Sequence, residues 1–245
     1  MSWLAVLLIG VALTDLTHSA RPVRLLPELV GATGAVVVGL LAGLTAPADL
    51  VALALIALAV LGWGRTVTSG FAGRLAPWVP LTLLGASVAV VVLVAGQASP
   101  ADGPLARWLD ATPVPVLADL DATRALMLVG AFGIQLSSGN VIVRLVLAAT
   151  GTVNPTHRGQ ADDPATKIKG GRLLGPMERV FILALALAGE VTAAGIVVAA
   201  KGLLRFPELS SRRDQEHVHL LTEYFLVGSF VSWLVALGSL VLLQT

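Results

Sequence analysis

The chain contains no cysteine, which removes disulfides, zinc–thiolate centres, iron–sulfur clusters and thiol catalysis, and leaves the redox compartment unread. Charge is scarce. Only 13% of the 245 residues are Asp, Glu, Lys or Arg, roughly half the share carried by a soluble globular domain. Neither sign dominates the net charge of +1, so there is no polycationic surface for nucleic acid and no acidic tail, and nucleic acid is excluded as a partner. No Walker loop, GxGxxG, nucleophile elbow, HExxH or Asp-rich prenyl-diphosphate motif occurs, so no cofactor is named by the sequence. Lysine is rare as well: three against thirteen Arg. With the richness in Ala, Val, Leu and Gly, that bias points to a high-GC bacterial genome.

What is present is apolar surface, 56% of all residues, more than one soluble core absorbs, and its long runs require hydrocarbon as solvent. A spanning helix needs about 20 mainly apolar residues, and runs near 2–18, 27–45, 48–64, 78–97, 124–150, 177–200 and 220–243 meet or approach that length. The expected fold is all-α, a single polytopic transmembrane helix bundle of about seven spans. Between the fourth and fifth runs, 98–123 holds prolines at 100, 104, 113 and 115 and four Asp. It reads as an exported loop with a short interfacial helix near Leu105–Leu109 and Trp108 at headgroup level. The first run has no basic residue before it, which argues against a cleaved signal peptide.

Orientation follows from short-loop Lys and Arg, which favour the cytoplasm. Arg21, Arg24, Arg65, Arg74, Arg158, Lys167, Lys169 and Arg172 fall in odd loops, and Arg107 alone in loops two and four. The expectation is a plasma-membrane protein with its N-terminus outside, its C-terminus cytoplasmic and a cytoplasmic loop at 151–175. Loop six conflicts, because Lys201, Arg205, Arg212 and Arg213 would then be exported. Gly31, Gly34, Gly39 and Gly43 recur at helix-packing intervals, the last two as GxxxG. Such faces bring helices together within the chain, or offer contact to a second copy or to a membrane-complex partner.

Ionisable groups inside apolar spans are costly and mark functional sites by default. Arg179, Glu190 and Lys201 are spaced by eleven residues, about three full turns, so one continuous helix would carry them as a stripe, with Arg205 one turn on. Glu190 is then mid-span, either a proton or ion relay, an acid/base, or a neutral side chain bonded to a neighbouring helix. The fifth run offers Gln135, Ser137, Ser138, Asn140 and Arg144; Ser137, Asn140 and Arg144 share a helical face. Arg144 either snorkels to headgroups or pairs with Glu178 or Glu190 around a polar cavity. Glu208 and Glu223 complete the set of cavity or ligand-binding candidates. His217, His219 and Glu223 make too thin a pattern for a metal site. Asp15 and His18, three apart at the end of the first run, read either as interfacial polar groups at a helix end, the commoner case, or as a proton-linked pair.

The segments 170–179 (GGRLLGPMER), 189–190 (GE), 199–208 (AAKGLLRFPE) and 222–228 (TEYFLVG) resemble the C-terminal part of a family of uncharacterised bacterial polytopic membrane proteins, a domain of unknown function. The resemblance covers about residues 170–245 and implies membrane residence, with no catalytic or ligand residues to carry over.

Three functions fit these features. One is a small-solute or ion transporter or channel using the charges of spans five to seven. A second is a membrane-embedded enzyme on a lipid or isoprenoid substrate, with Arg179, Lys201 and Arg205 binding an anion and Glu178, Glu190, Glu208 or Glu223 as acid/base. The third is a non-catalytic subunit of a membrane complex.

Overall fold

A computed structural model describes residues 1–21, 23, 25–112, 120–152, 171–209 and 215–244, and the side chains of these outside 171–173, 201–202, 204–209 and 215–222. Among the described residues the chain is all-helical, without strands. The helices are α1 (Ser2–Ala20), α2 (Leu26–Leu41), α3 (Pro47–Phe71), α4 (Trp78–Leu93), α5 (Pro104–Asp110), α6 (Ala122–Leu136), α7 (Ser138–Ala149), α8 (Gly171–Leu187), α9 (Val191–Leu209) and α10 (Gln215–Gln244).

Helix α1 is the axis. Residues 2–12 are all buried, as expected of a helix that is apolar all round. It packs against α2, α3 and α6, and close approach in these contacts depends on small residues. A Cβ on Gly10 would lie 2.8 Å from Val60 and 2.9 Å from Ala35; one on Gly31 would run into Thr14 and stand 2.6 Å from the Gly10 carbonyl; one on Gly133 would meet Ala12 at 2.9 Å. The GxxxG pair works differently from the expected helix face. Gly39 receives the Leu53 side chain, whereas Gly43 lies beyond the end of α2 at φ +82°. There it closes the helix through Leu44 N–H to the Gly39 carbonyl (3.0 Å), and Gly103 N–H bonds the Ala42 carbonyl at 3.1 Å. Only Gly takes that φ freely and leaves room for the Gly103 backbone.

Two Trp–Asp hydrogen bonds join α1 to α3. Trp3 Nε1 donates to Asp49 Oδ1 at 2.7 Å, and Trp63 Nε1 donates to Asp15 Oδ1 and Oδ2 at 3.2 and 3.1 Å. Residues 3 and 15 of α1 thus meet 49 and 63 of α3, so the two helices run parallel, with α2 antiparallel between them. The bundle therefore has a Met1 end and a His18 end. Helix α6 also runs away from the Met1 end, Gly130 lying on Ala5 and Leu8 and Gly133 on Ala12.

The seven expected segments all contain helix, but among the described residues three helices are long and apolar enough to cross a membrane: Ser2–Ala20, Pro47–Phe71 and the Glu223–Gln244 part of α10. The pair α6 and α7, bent by 49°, makes a fourth if counted as one span. The 16-residue helices α2 and α4 rise about 24 Å, short of a hydrocarbon core of about 30 Å. The expected span 177–200 is divided. Gly189, at φ +83°, ends α8 with Glu190 N–H on the Leu185 carbonyl at 2.8 Å and Gly189 N–H on the Ala186 carbonyl at 3.1 Å, and this left-handed cap redirects the chain. One apolar cluster holds Ile182 and Leu185 of α8, Ala194 and Val198 of α9, and Trp233 and Ala236 of α10. In a continuous helix Ile182 and Ala194 would be about 18 Å apart, so α9 folds back towards α8 in a helical hairpin. The short helix expected near Leu105–Leu109 is α5, with Trp108 exposed; residues 113–119 lie outside the described set.

Gly31→Val should lower stability by about 1–3 kcal/mol through overpacking against Thr14 and the Gly10 backbone. Gly85→Ala, whose added Cβ meets nothing within 4 Å, should leave the melting temperature in detergent unchanged. Thermal melts of the two purified variants check both.

Candidate functional site at a broken helix

The sequence Gln135-Leu-Ser-Ser-Gly-Asn140 is a poor helix interior, since Ser and Asn side chains compete for the backbone and Gly has no Cβ. The helix breaks there. Ser137 takes φ −121°, ψ −69°, and its hydroxyl donates towards the carbonyls of Ala12 and Gly133, both at 3.0 Å. Carbonyls released by a break at membrane depth have no water to meet and need protein donors.

Arg179 supplies them. Its Nε and Nη2 donate to the Gln135 carbonyl at 3.2 and 3.0 Å; Nη2 also reaches Asn140 Oδ1 at 2.8 Å and Nη1 reaches Ser232 Oγ at 3.1 Å. The guanidinium thus ties α6, α7 and α10 to α8 while remaining 1% exposed. A cation at the C-terminus of α6 also faces the negative end of its dipole. Gly139 makes the space, for a Cβ there would collide with Arg179 Nε. The neighbouring Glu178, also buried, accepts from Trp233 Nε1 at 3.0 Å. Gln135 Nε2 donates to Ser239 Oγ at 2.8 Å and to the Ala131 carbonyl at 3.1 Å, while its Oε1 has no hydrogen-bond partner among the described residues.

The other side of the break carries acids. Ser138, fully buried, lies beside Asp15, yet its Oγ completes no hydrogen bond of normal geometry. Asp15 is buried with both oxygens on Trp63. Glu28, in the first turn of α2, is also buried. Its Cγ lies where a Cβ on Gly64 would stand, and Thr14 packs against both Gly31 and Gly64. Two carboxylates therefore enter the corner where α1, α2 and α3 meet.

Of the residues expected from sequence, the structure joins Asn140 and Arg179 directly and sets Glu178 beside them. Glu190 is exposed in the α8–α9 turn, where its carbonyl accepts from Ala194 N–H at 3.1 Å; the stripe through Arg179, Glu190 and Lys201 is lost because the helix is not continuous. Arg144 is exposed on α7 with its guanidinium 4.9 Å from the Phe71 ring centre. The break separates it from the face of Ser137. Glu223 is exposed and accepts from Thr152 Oγ1 at 3.2 Å. Lys201, Arg205 and Glu208 are on α9, but their side chains, and those of His217 and His219, lie outside the described residues.

Gln135 and Ser138 belong to the polar set of the fifth run and Asp15 was read at the end of the first, whereas Glu28, Trp63 and Ser232 enter the site without having been singled out. A signal existed for one of them: Ser229, Ser232 and Ser239, all buried, follow a spacing of three and seven along an otherwise apolar α10. No protein-family model matches the chain, and no curated protein or solved structure matches it.

Arg179→Ala should cost about 3 kcal/mol, because it strands the Gln135 carbonyl and Asn140 in an apolar interior. Arg179→Lys should recover part of that, one ammonium being unable to meet carbonyl, amide and hydroxyl together. Gly139→Ala should resemble Arg179→Ala. Detergent melts of the three variants decide it.

Proposed function

We propose that the chain is an integral, multi-pass protein of a bacterial plasma membrane that moves a small solute or ion across it. The observation that carries this reading is the broken helix α6–α7, with a buried arginine on one side and two buried carboxylates on the other. Interrupted helices whose freed backbone faces ionisable groups are how solute and ion sites are built at membrane depth. The resemblance of residues 170–245 to polytopic membrane proteins of unknown function agrees with membrane residence and adds no activity. An enzyme would need Lys201, Arg205, Glu208 and Glu223 to converge; the first three side chains lie outside the described residues, and Glu223 accepts from Thr152 beside the end of α7.

The topology we propose has α1, α2, α3, α4, α6–α7 and α10 crossing, with α8–α9 entering and leaving from the His18 end. Among the described residues, Arg21, Arg65, Arg74 and Arg144 then gather at that end, as does the part of α9 that carries Lys201 and Arg205. Arg107 and Arg124 remain at the Met1 end. The loop-six conflict disappears, because the hairpin returns that segment to the basic, cytoplasmic side. The Thr152–Glu223 and Gln135–Ser239 contacts run α10 back towards the Met1 end, and in this topology both ends of the chain face outside, in place of the cytoplasmic C-terminus expected from loop charges.

Two measurements test this. In full-length fusions, alkaline phosphatase at the Gln244 end should be active and green fluorescent protein there dark, with the reverse in 153–170; a fluorescent Gln244 fusion overturns the topology. Proteoliposomes on a solid-supported membrane should give currents above protein-free vesicles when exposed to jumps of inorganic ions, small organic acids or small organic cations, and Arg179→Lys should abolish them. Silence across all three classes overturns the transport reading.

A further inference from the structure

We infer that the corner between α1, α2, α3 and α7 is a proton-binding site, with Asp15 as the group that takes and releases the proton; this rests on the transport reading and names its coupling ion. Two buried acceptor atoms there have no hydrogen-bond partner among the described residues, Glu28 Oε2 and Ser138 Oγ. The residues that carry them are 6% and 0% exposed. Asp15, 4% exposed, is the carboxyl of this corner that lies beside Ser138, and a buried carboxyl with no cation against it takes a proton at least cost.

Ser138 is suited to this task in both states of its neighbour. A hydroxyl donates to a charged carboxylate and accepts from a protonated one, so a serine beside Asp15 needs only to rotate as the proton arrives or leaves. Trp63 Nε1, by contrast, is a donor only. Its contact to both oxygens of Asp15 holds the carboxyl in place without choosing which oxygen is protonated.

Among the described residues, the charged and titratable groups around Asp15 leave it without an ion partner. On α1, His18 is exposed one turn away, and Arg21 is exposed beyond the helix end; α2 presents Glu28, an acid; α3 presents Arg65, which is exposed. Helix α4 has no titratable residue, and α6 has only Arg124, at the Met1 end. On α7, Arg144 stacks over Phe71. Arg179 of α8 reaches the break from the opposite side and spends its donors on Gln135, Asn140 and Ser232. Among the described residues no three His, Asp or Glu gather as for a metal ion, and a proton needs only one acceptor and one exchange partner.

The placement also couples the proton to movement. Ser138 faces Asp15, while its neighbours Gly139 and Asn140 face Arg179. A change in charge at Asp15 therefore acts on the first residues of α7, which start at the Ser137 break, and the exposed end of α1 lies one turn beyond Asp15.

The test is difference infrared spectroscopy of the full-length protein in lipid nanodiscs, titrated from mildly alkaline to mildly acidic pH. The wild type should gain the C=O stretch of a protonated buried carboxyl, and Asp15→Asn should lose that band. Ser138→Ala, which removes one hydroxyl and keeps the fold, should move its frequency. Asp15→Asn keeps the size of the side chain and an acceptor for Trp63; if it fails to fold, the Ser138→Ala shift alone decides. A wild-type spectrum without the band, a band that survives Asp15→Asn, or one indifferent to Ser138→Ala overturns the proposal. A band that behaves as expected in a protein giving no vesicle currents sinks the transport reading and leaves the proton site standing. Currents without the band do the opposite.

Discussion

The double attachment of α1 to α3 is the constraint on which the rest of the bundle depends. Helix α1 is surrounded on all sides, and burial alone would allow it to slide or rotate, since Ala, Val, Leu and Ile faces are nearly equivalent in an apolar surround. The Trp3–Asp49 and Trp63–Asp15 hydrogen bonds remove that freedom. Each helix contributes one tryptophan and one aspartate, so the two bonds pin both ends and define a single register. Hydrogen bonds to a charged group contribute about 1.5–3 kcal/mol each, and their directionality is what apolar packing lacks. With that register set, Gly10 faces Ala35 and Val60, Gly31 faces Thr14, and Ala12 reaches the junction of α6 and α7.

From this frame the broken helix follows as a problem of unmet backbone. Residues 135–140 cannot sustain a regular helix, and an apolar environment does not tolerate the carbonyls so released. Arg179 resolves the conflict with four hydrogen bonds on three partner residues, and the hairpin of α8 and α9 is what delivers it. The opposite side of the break carries no such cation. That asymmetry, a saturated arginine against two buried carboxylates of which Glu28 keeps an unmet oxygen, marks the region as more than a packing joint.

Much of the architecture is legible in the amino-acid string, and the losses have particular causes. Apolar runs indicate where helices lie, and Pro104 with its apolar followers marks α5. Asp121 caps α6, its side chain accepting from Thr123 and Arg124 N–H at 2.9 and 3.2 Å. The division of 177–200 is missed because Ala, Leu and Val on both sides of Gly189 are as compatible with one long helix as with two, and a single Gly inside a hydrophobic run more often packs than caps. Arg179 and Asn140 are found because polar groups in apolar runs are rare. Asp15 is read as interfacial and Glu28 is passed over because each stands near a helix end, where exposure is the ordinary fate, and only the approach of Trp63 and Gly64 from α3 buries them.

The sequence by itself determined that the chain is helical and apolar enough to supply membrane spans, that it has no cysteine for thiol chemistry, and which charged side chains would be costly inside. These depend on composition and on periods of a few residues, which local physics converts directly into structure. Tertiary structure alone decided that α1 is the buried axis, that α8 and α9 turn back on one another, and that Arg179 closes one side of a break whose other side faces Asp15. Those outcomes rest on contacts between residues from about 40 to more than 120 positions apart, and no local pattern says which buried donor will meet which buried acceptor.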